Sequence, residues 1–169
     1  MVKYAMDEDD AQFDPVELSE RLTGVLRGAM PWLLTISEAE ASVPEREAKW
    51  SGKQVIGHLT DSAVNNLGRI MRMQIEPGVS LSGYAQMEWV SLQHYQEREW
   101  AEVLGLWFAL NEHVVWTIAH VKKASLANKG AVEGETITLG FLIADYVAHM
   151  EHHLRAMRLW LGIDAGARE

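Results

Sequence analysis

The chain has 169 residues, of which 48% are apolar, and a formal net charge of −9. This length fits a single domain over residues 1–169 with a sizeable core, and the negative charge argues against binding to nucleic acid, which needs a basic patch. There is no cysteine, so disulfides, thiolate-bound zinc and a cysteine nucleophile are excluded, and any thiol chemistry needs a thiol from the substrate.

No segment of the sequence indicates export or membrane insertion. Residues 1–13 lack a basic start and an apolar run. The longest apolar stretch, at 103–121, is interrupted by the polar residues 111–113. We therefore expect a cytoplasmic protein without membrane contact.

The N-terminal part of the chain predicts an arm followed by a helix. Residues 1–13 are acidic, and we expect a flexible arm. Asp14 and Pro15 are typical of an N-cap followed by the first helical position. The first helix is predicted from about Pro15 to Ala39, with Pro31 bending or dividing it.

The second helix has a clear start and a clear end. Ser51 and Gln54 form the pattern of a capping box, and Trp50 is placed to pack against the start of the helix. The helix is predicted to run to about Glu76, where Pro77 and Gly78 stop it. A long loop is predicted over 78–90.

Two further helices are predicted in the remainder of the chain. The third runs from about Leu92 to Ala124, and a second loop covers 125–136. Thr138 is expected to cap the fourth helix, which ends at Leu161 before Gly162, a typical C′ glycine. No segment alternates as a strand, so we predict an all-α four-helix bundle.

The positions of the histidines predict the order of the helices. His58 lies about 10 Å from the start of the second helix and His153 about 12 Å from the end of the fourth. They reach the same level if these two helices are antiparallel. The 78–90 loop, about 43–47 Å when extended, can run back along a helix of about 37 Å. We therefore predict up-down-down-up order with a long crossover between the second and third helices.

Three histidines form the candidate metal site. His149 and His153 are spaced i, i+4, which places them on one face of the fourth helix, and His58 supplies a third imidazole. Three-nitrogen sites leave positions open for water or substrate, as catalytic sites do. The alternative is separate buried histidines, each hydrogen-bonded to a carbonyl or carboxylate. On the fourth helix, His149 and His153 lie on one stripe with Leu142, Tyr146, Met157 and Trp160. On the second helix, His58 lies on a stripe with Val55, Ser62, Asn65, Asn66 and Arg69.

Nearby carboxylates have two possible roles. Asp61 follows His58 by three residues and Asp145 precedes His149 by four. Either carboxylate could accept the free ring N–H of a ligand histidine, or could be solvated. Glu151 projects about 200° away from His149, so the segment is not an HExxH protease motif.

Several blocks of the sequence resemble the DinB-like metalloenzyme superfamily. The first block comprises residues 49–51, 57–62, 65–66 and 69. The second comprises 83–84 and 89–90, and the third comprises 145–149 and 152–154. The resemblance implies an up-down-down-up four-helix bundle. It also implies that His58, His149 and His153 bind one divalent ion, with zinc and nickel as candidates, and that homodimers are common.

The resemblance also implies an activity. Better-understood relatives are thiol transferases and isomerases that use bacillithiol, mycothiol or glutathione. The leading hypothesis is a metal-dependent S-transferase that activates a low-molecular-weight thiol towards a small electrophile. A metal-dependent hydrolase and a non-enzymatic, stress-linked metal-binding bundle are the alternatives. We expect a substrate cleft bordered by the 78–90 loop, with Asn65, Asn66 or Arg69 on its wall.

Overall fold

The structure is a computed structural model that describes residues 3–5 and 13–163. The described residues form a mostly helical fold whose α-helices are α1 (Pro15–Leu33), α2 (Glu38–Ser42), α3 (Gly52–Ile75), α4 (Gln86–Leu92), α5 (Trp100–Ala119) and α6 (Leu139–Trp160). Short 3₁₀ turns cover Tyr95–Glu97 and Lys123–Ala127. None of the described helices is both long enough and apolar enough to cross a bilayer.

The starts of the long helices follow the predicted capping residues. Asp14 accepts a hydrogen bond from the amide of Val16 at the start of α1. Ser51 and Gln54 form the complete capping box of α3. Thr138 caps α6 by accepting from the amide of Phe141. These side chains satisfy amide groups that have no acceptor inside the helix, which explains why the predicted boundaries are accurate there.

The first and third predicted helices are shorter than expected. α1 ends at Leu33, two residues after Pro31, and a separate short helix follows at 38–42. The third long helix begins at Trp100, because 86–97 instead form α4 and a 3₁₀ turn. His94 separates these two elements with a left-handed φ of 52°, a conformation that cannot continue a right-handed helix.

The predicted helical fold is confirmed in its main part, but the described residues also include three short strands that the all-α prediction did not contain. They are β1 (Ser80–Leu81), β2 (Lys129–Val132) and β3 (Glu135–Thr138). β2 pairs in parallel with β1 and antiparallel with β3. Glu133 and Gly134, with φ of 52° and 83°, form the two-residue turn of the hairpin. This hairpin replaces most of the predicted loop over 125–136, and strands of two to four residues carry little alternation to detect.

The long helices surround one hydrophobic core. α1 and α3 each pack against both α5 and α6. Trp107 of α5 and Met150 of α6 are completely buried in this core. The helices thus hold α3 beside α6, which carry the three histidines of interest.

Contacts between helix ends fix the level of these histidines. Trp100 Nε1 donates to the carbonyl of Leu33 over 3.3 Å, joining the start of α5 to the end of α1. Asn128 donates to the carbonyl of Met73 over 3.0 Å, and its own carbonyl accepts from the amide of Leu139 over 2.8 Å. The end of α3 therefore lies near the start of α6. His58, near the start of α3, comes to the level of the last turns of α6.

Candidate metal centre

His58, His149 and His153 converge between α3 and α6. One ring nitrogen from each residue lies within 4.8 Å of the other two. The Nε2 atoms of His58 and His149 are 3.1 Å apart. The clustering of these three side chains, predicted from the i, i+4 spacing and the helix order, is therefore observed.

The spacing of the rings suits a shared metal ion. Ring centroids are 4.6 Å apart for His149 and His153, and 5.1 and 5.0 Å apart for His58 with each of them. Two nitrogens bound tetrahedrally to one ion at 2.0–2.1 Å lie about 3.3 Å apart. The observed 3.1 Å separation of two Nε2 atoms is close to this value.

Burial keeps the three imidazoles neutral. It lowers the pKa of His58 and of His153 to about 4. Burial, with repulsion from the neighbouring histidines, lowers the pKa of His149 to about 2. All three rings are therefore neutral imidazoles at neutral pH, with one ring nitrogen available to bind a metal ion, as coordination requires. The donor set fits a divalent transition metal.

Contacts from Ser62 and Trp50 orient two of the three rings. Ser62 Oγ lies 3.5 Å from Nδ1 of His149. The Nδ1 atom of His58 is buried and has no hydrogen-bond partner among the described residues. The Trp50 ring packs 4.9 Å from the His58 ring, measured between centroids. Trp50, predicted only to pack at the start of the helix, therefore also positions His58.

Asp61 hydrogen-bonds to the segment over 76–99 that joins α3 to α5, called the crossover below. Its Oδ1 accepts from the hydroxyl of Tyr95 over 2.7 Å and from the amide of Gln93 over 2.5 Å. Its Oδ2 is buried without a partner in the described structure. Burial raises the pKa of this carboxyl. The described hydrogen bonds thus connect Asp61 to the crossover, whereas the sequence left open a bond to a ligand histidine or a solvated carboxylate.

Asp145 holds Tyr4 and Ala5 against the site. Its Oδ1 accepts from the backbone amides of Tyr4 and Ala5. The Tyr4 ring lies 5.1 Å from the rings of both His149 and His152. Tyr4 was missed by the sequence analysis, since a tyrosine within an acidic arm carries no periodic signal. Most of the predicted arm over 1–13 lies outside the described residues, but 3–5 contact α6.

The three polar residues predicted on the substrate wall occupy different places. Asn65 donates to the carbonyl of Asp61 and Asn66 to that of Ser62, each over 2.9 Å. Arg69 donates to the carbonyl of Ser82 over 3.1 Å, which ties α3 to the crossover. Of the three, Asn66 and Arg69 line a cavity beside His149.

Two cavities adjoin the histidines. A polar cavity of about 130 Å³ touches His149 and is lined also by Ser62, Asn66, Arg69, Tyr84 and Glu133, among others. An apolar cavity of about 420 Å³ touches His153 and is lined by Trp50, Val55, Met87, Met157 and Trp160, among others. The two cavities share no lining residue, so they reach the cluster through different histidines. Both include residues of the crossover.

Glu151 faces away from the cluster. It forms an ion pair with Arg21 of α1, with Arg21 Nη2 2.7 Å from Glu151 Oε2. His152 is exposed. Neither residue belongs to the three-histidine group, and for Glu151 this agrees with the predicted helix face.

Comparison with known proteins identifies the family. The model of the DinB superfamily matches residues 21–157. The chain therefore belongs to the DinB superfamily.

The similar proteins support the same family. The chain is 26% identical over 122 residues to "Putative metal-dependent hydrolase BH0277" of Halalkalibacterium halodurans, covering 72% of this chain and 71% of that protein. The structure of YfiT from Bacillus subtilis, described as a probable metal-dependent hydrolase with an unusual four-helix bundle topology, matches with a TM-score of 0.84 and 19% identity. That match covers 98% of this chain and 95% of YfiT.

A second solved structure extends the likeness in fold. It is a mycothiol-dependent maleylpyruvate isomerase, with a TM-score of 0.68 and 12% identity. The match covers 87% of this chain and 62% of that one. At these identities the two structural matches establish the fold.

Proposed function

We propose that this DinB-superfamily chain is a divalent-metal-dependent enzyme in which His58, His149 and His153 hold one ion per chain. The observation that carries the proposal is the convergence of three neutral ring nitrogens within 4.8 Å beside two cavities. Zinc and nickel both accept imidazole ligands. A structural site would have its remaining coordination side enclosed, whereas cavities reach this cluster through His149 and His153.

The reaction we favour is S-transfer from a low-molecular-weight thiol to a small electrophile. A divalent ion would supply Lewis acidity, which lowers the pKa of a thiol or water molecule bound to it. The chain has no cysteine, so the thiol comes from the substrate. The fold shared with a mycothiol-dependent isomerase supports this reading.

The residues around the cluster have defined roles in this proposal. Ser62 orients His149, and Trp50 holds the ring of His58 in place. Arg69 and Asn66 form the polar wall against which substrate binds. Asp61 fixes the crossover to α3 through Tyr95 and Gln93, and Asp145 fixes the N-terminal residues.

A metal-dependent hydrolase is the second candidate. The names of the relative from Halalkalibacterium halodurans and of YfiT both describe this activity. The same three histidines would serve it, with water in place of the thiol. A non-enzymatic, stress-linked metal-binding bundle is the third candidate.

A transfer assay separates these candidates. Metal-free protein, prepared without an affinity tag, is reloaded with zinc or nickel and assayed with bacillithiol, mycothiol and glutathione against an aryl halide electrophile. Metal-dependent conjugation supports S-transfer. Metal-dependent ester or amide cleavage without thiol supports the hydrolase. Absence of both, with metal still bound, supports the non-enzymatic bundle.

We also propose the helix order and the assembly. Contacts place the end of α1 near the start of α5 and the end of α3 near the start of α6, which supports up-down-down-up order. Val64, Met71 and Ile75 expose an apolar stripe along α3, which supports a homodimer, and we propose the cytoplasm as its location. Sedimentation velocity should show a dimer that Met71→Glu dissociates.

A further inference from the structure

The polar cavity beside His149 contains a cation without an ionic partner at contact distance. Arg69 has one hydrogen bond in the described structure, from Nη2 to the carbonyl of Ser82. No carboxylate of the described residues lies within 4.0 Å of its guanidinium. A guanidinium has five N–H donors in a fixed fork, so several donors remain for a ligand.

Glu133 and Tyr84 act on Arg69 electrostatically within this cavity, but no described carboxylate pairs with its guanidinium at contact distance. Asp145 is committed to the amides of Tyr4 and Ala5. Glu133 is an exposed residue of the hairpin turn that also lines the cavity. Asn66 and Tyr84 add neutral polar groups to the wall. The arrangement favours a planar anionic group, since Arg binds carboxylates in a bidentate manner.

The cavity volume limits the size of that group. About 130 Å³ corresponds to roughly four water molecules at about 30 Å³ each. A carboxylate with one or two carbons fills this volume, and an intact tripeptide thiol would extend beyond it. The larger part of a substrate must therefore lie elsewhere.

The cavity beside His153 offers the space for an apolar group. Its volume of about 420 Å³ lies within the usual range of about 300–1,000 Å³ for small-molecule sites. Trp50, Met87 and Trp160 give it flat and flexible apolar walls. Such walls favour aromatic or alkyl groups.

We infer that the two reactants differ in chemistry: one carries a carboxylate held by Arg69 beside His149, and the other an aromatic or alkyl group held by Trp50 and Trp160 beside His153. This inference rests on the proposed function and assigns its substrate classes. Arg69 then selects for charge, and the two tryptophans select for apolar surface.

Cobalt-loaded protein and simple thiols test the inference by binding rather than turnover. 3-Mercaptopropionate and 3-mercapto-1-propanol are thiols of the same chain length that end in a carboxylate and in a neutral alcohol, and thiolate binding to cobalt is read from its charge-transfer band. We expect wild type to bind the acid at least tenfold more tightly. Arg69→Gln should remove that preference, Arg69→Lys should retain part of it, and Arg72→Gln, at an exposed position one turn below, should leave it unchanged.

Phenylmethanethiol tests the apolar cavity in the same way. Trp160→Ala should weaken its binding about tenfold without affecting 3-mercaptopropionate. Leu159→Ala is the matched control, because Leu159 is 64% exposed and does not line the cavity. Equal weakening by both variants would overturn the assignment of this cavity.

Propionate separates failure of this inference from failure of the proposed function. One outcome is that thiol bands appear, but the acid and the alcohol bind with equal affinity in both wild type and Arg69→Gln. That outcome would overturn the inference while supporting thiol activation. The other outcome is that no thiol band appears, but propionate changes the cobalt spectrum of wild type and not that of Arg69→Gln. That outcome would overturn thiol activation while supporting the anionic subsite.

Discussion

Asp145 accepts a hydrogen bond of 3.0 Å from the backbone amide of Ala5, a residue 140 positions away in the sequence. The same oxygen accepts from the amide of Tyr4, whose ring covers His149 at 5.1 Å between centroids. Ala5 itself is only 2% exposed. Tyr4 and Ala5 therefore form part of the wall of the candidate metal centre, although the family match begins only at residue 21.

Removing this acceptor should release the N-terminal residues. We expect Asp145→Ala to lower the free energy of unfolding by about 1–3 kcal/mol, because buried amides lose their partner. Urea unfolding measures the loss, and hydrogen exchange at Tyr4 and Ala5 locates it. Asp145→Asn keeps an acceptor oxygen and should cost less. Unchanged exchange at both amides in Asp145→Ala would contradict this role.

The sequence predicts best the features that depend on local chemistry or on periodicity. The caps at Ser51 and Thr138, and the shared face of His149 and His153, follow directly from spacing along a helix. The partners of Asp61 and Asp145 could not be predicted, because Tyr95 and Tyr4 reach them through irregular segments. Whether a carboxylate near a histidine bonds to it or to a distant loop depends on tertiary packing, which one-dimensional spacing does not contain.

Metal content tests the three-histidine site directly. Protein purified without an affinity tag should carry about one divalent transition metal per chain. His149→Ala should lower the metal affinity by more than the roughly 10–100-fold typical of losing an outer-shell partner, because a coordinating nitrogen is removed. His113→Ala, at an exposed position on α5, is the control. Equal metal content in the two variants, by elemental analysis, would exclude the site.

Removing the metal should lower thermal stability without melting the helices. A ligand present at 100 times its dissociation constant stabilises the folded state by about 2.7 kcal/mol, equivalent to a melting-temperature shift of about 5–10 °C for a domain of this size. The core of buried apolar residues remains intact without metal. Calorimetry with and without chelator measures the shift. Loss of helical circular dichroism at room temperature on chelation would contradict the expectation.

Gly57 gives a test of how the crossover positions His58. A Cβ atom added at Gly57 would lie 2.2 Å from Cδ2 of Tyr95, whose hydroxyl binds Asp61. Gly57→Ala should destabilise the fold by about 1–3 kcal/mol, as overpacking of a core does, and should weaken metal binding. In Gly68→Ala, on the same helix, the added Cβ meets no atom within 4 Å, so about 0.4–1 kcal/mol of stabilisation is expected. Equal stability of the two variants by urea unfolding would contradict the close contact with Tyr95.

The lowered histidine pKa values predict how the metal-free protein responds to acid. In the unfolded chain a histidine titrates near pH 6.5, whereas burial lowers the pKa of His58 to about 4 in the folded protein. Between these values the unfolded state binds a proton that the folded state does not, so stability falls as the pH decreases from about 6.5 to about 4. Asp61, whose pKa is raised by burial, contributes with the opposite sign.

A variant isolates the contribution of His58 from that of the other titrating groups. His58→Gln cannot take up this proton in either state. The difference in unfolding free energy between wild type and His58→Gln, both metal-free, should therefore change with pH between about 6.5 and 4 and be constant above about 7.5. Urea unfolding at half-unit pH steps measures it. A difference that does not vary with pH would mean that His58 titrates normally in the folded protein, and that its ring is open to solvent rather than held neutral for a metal.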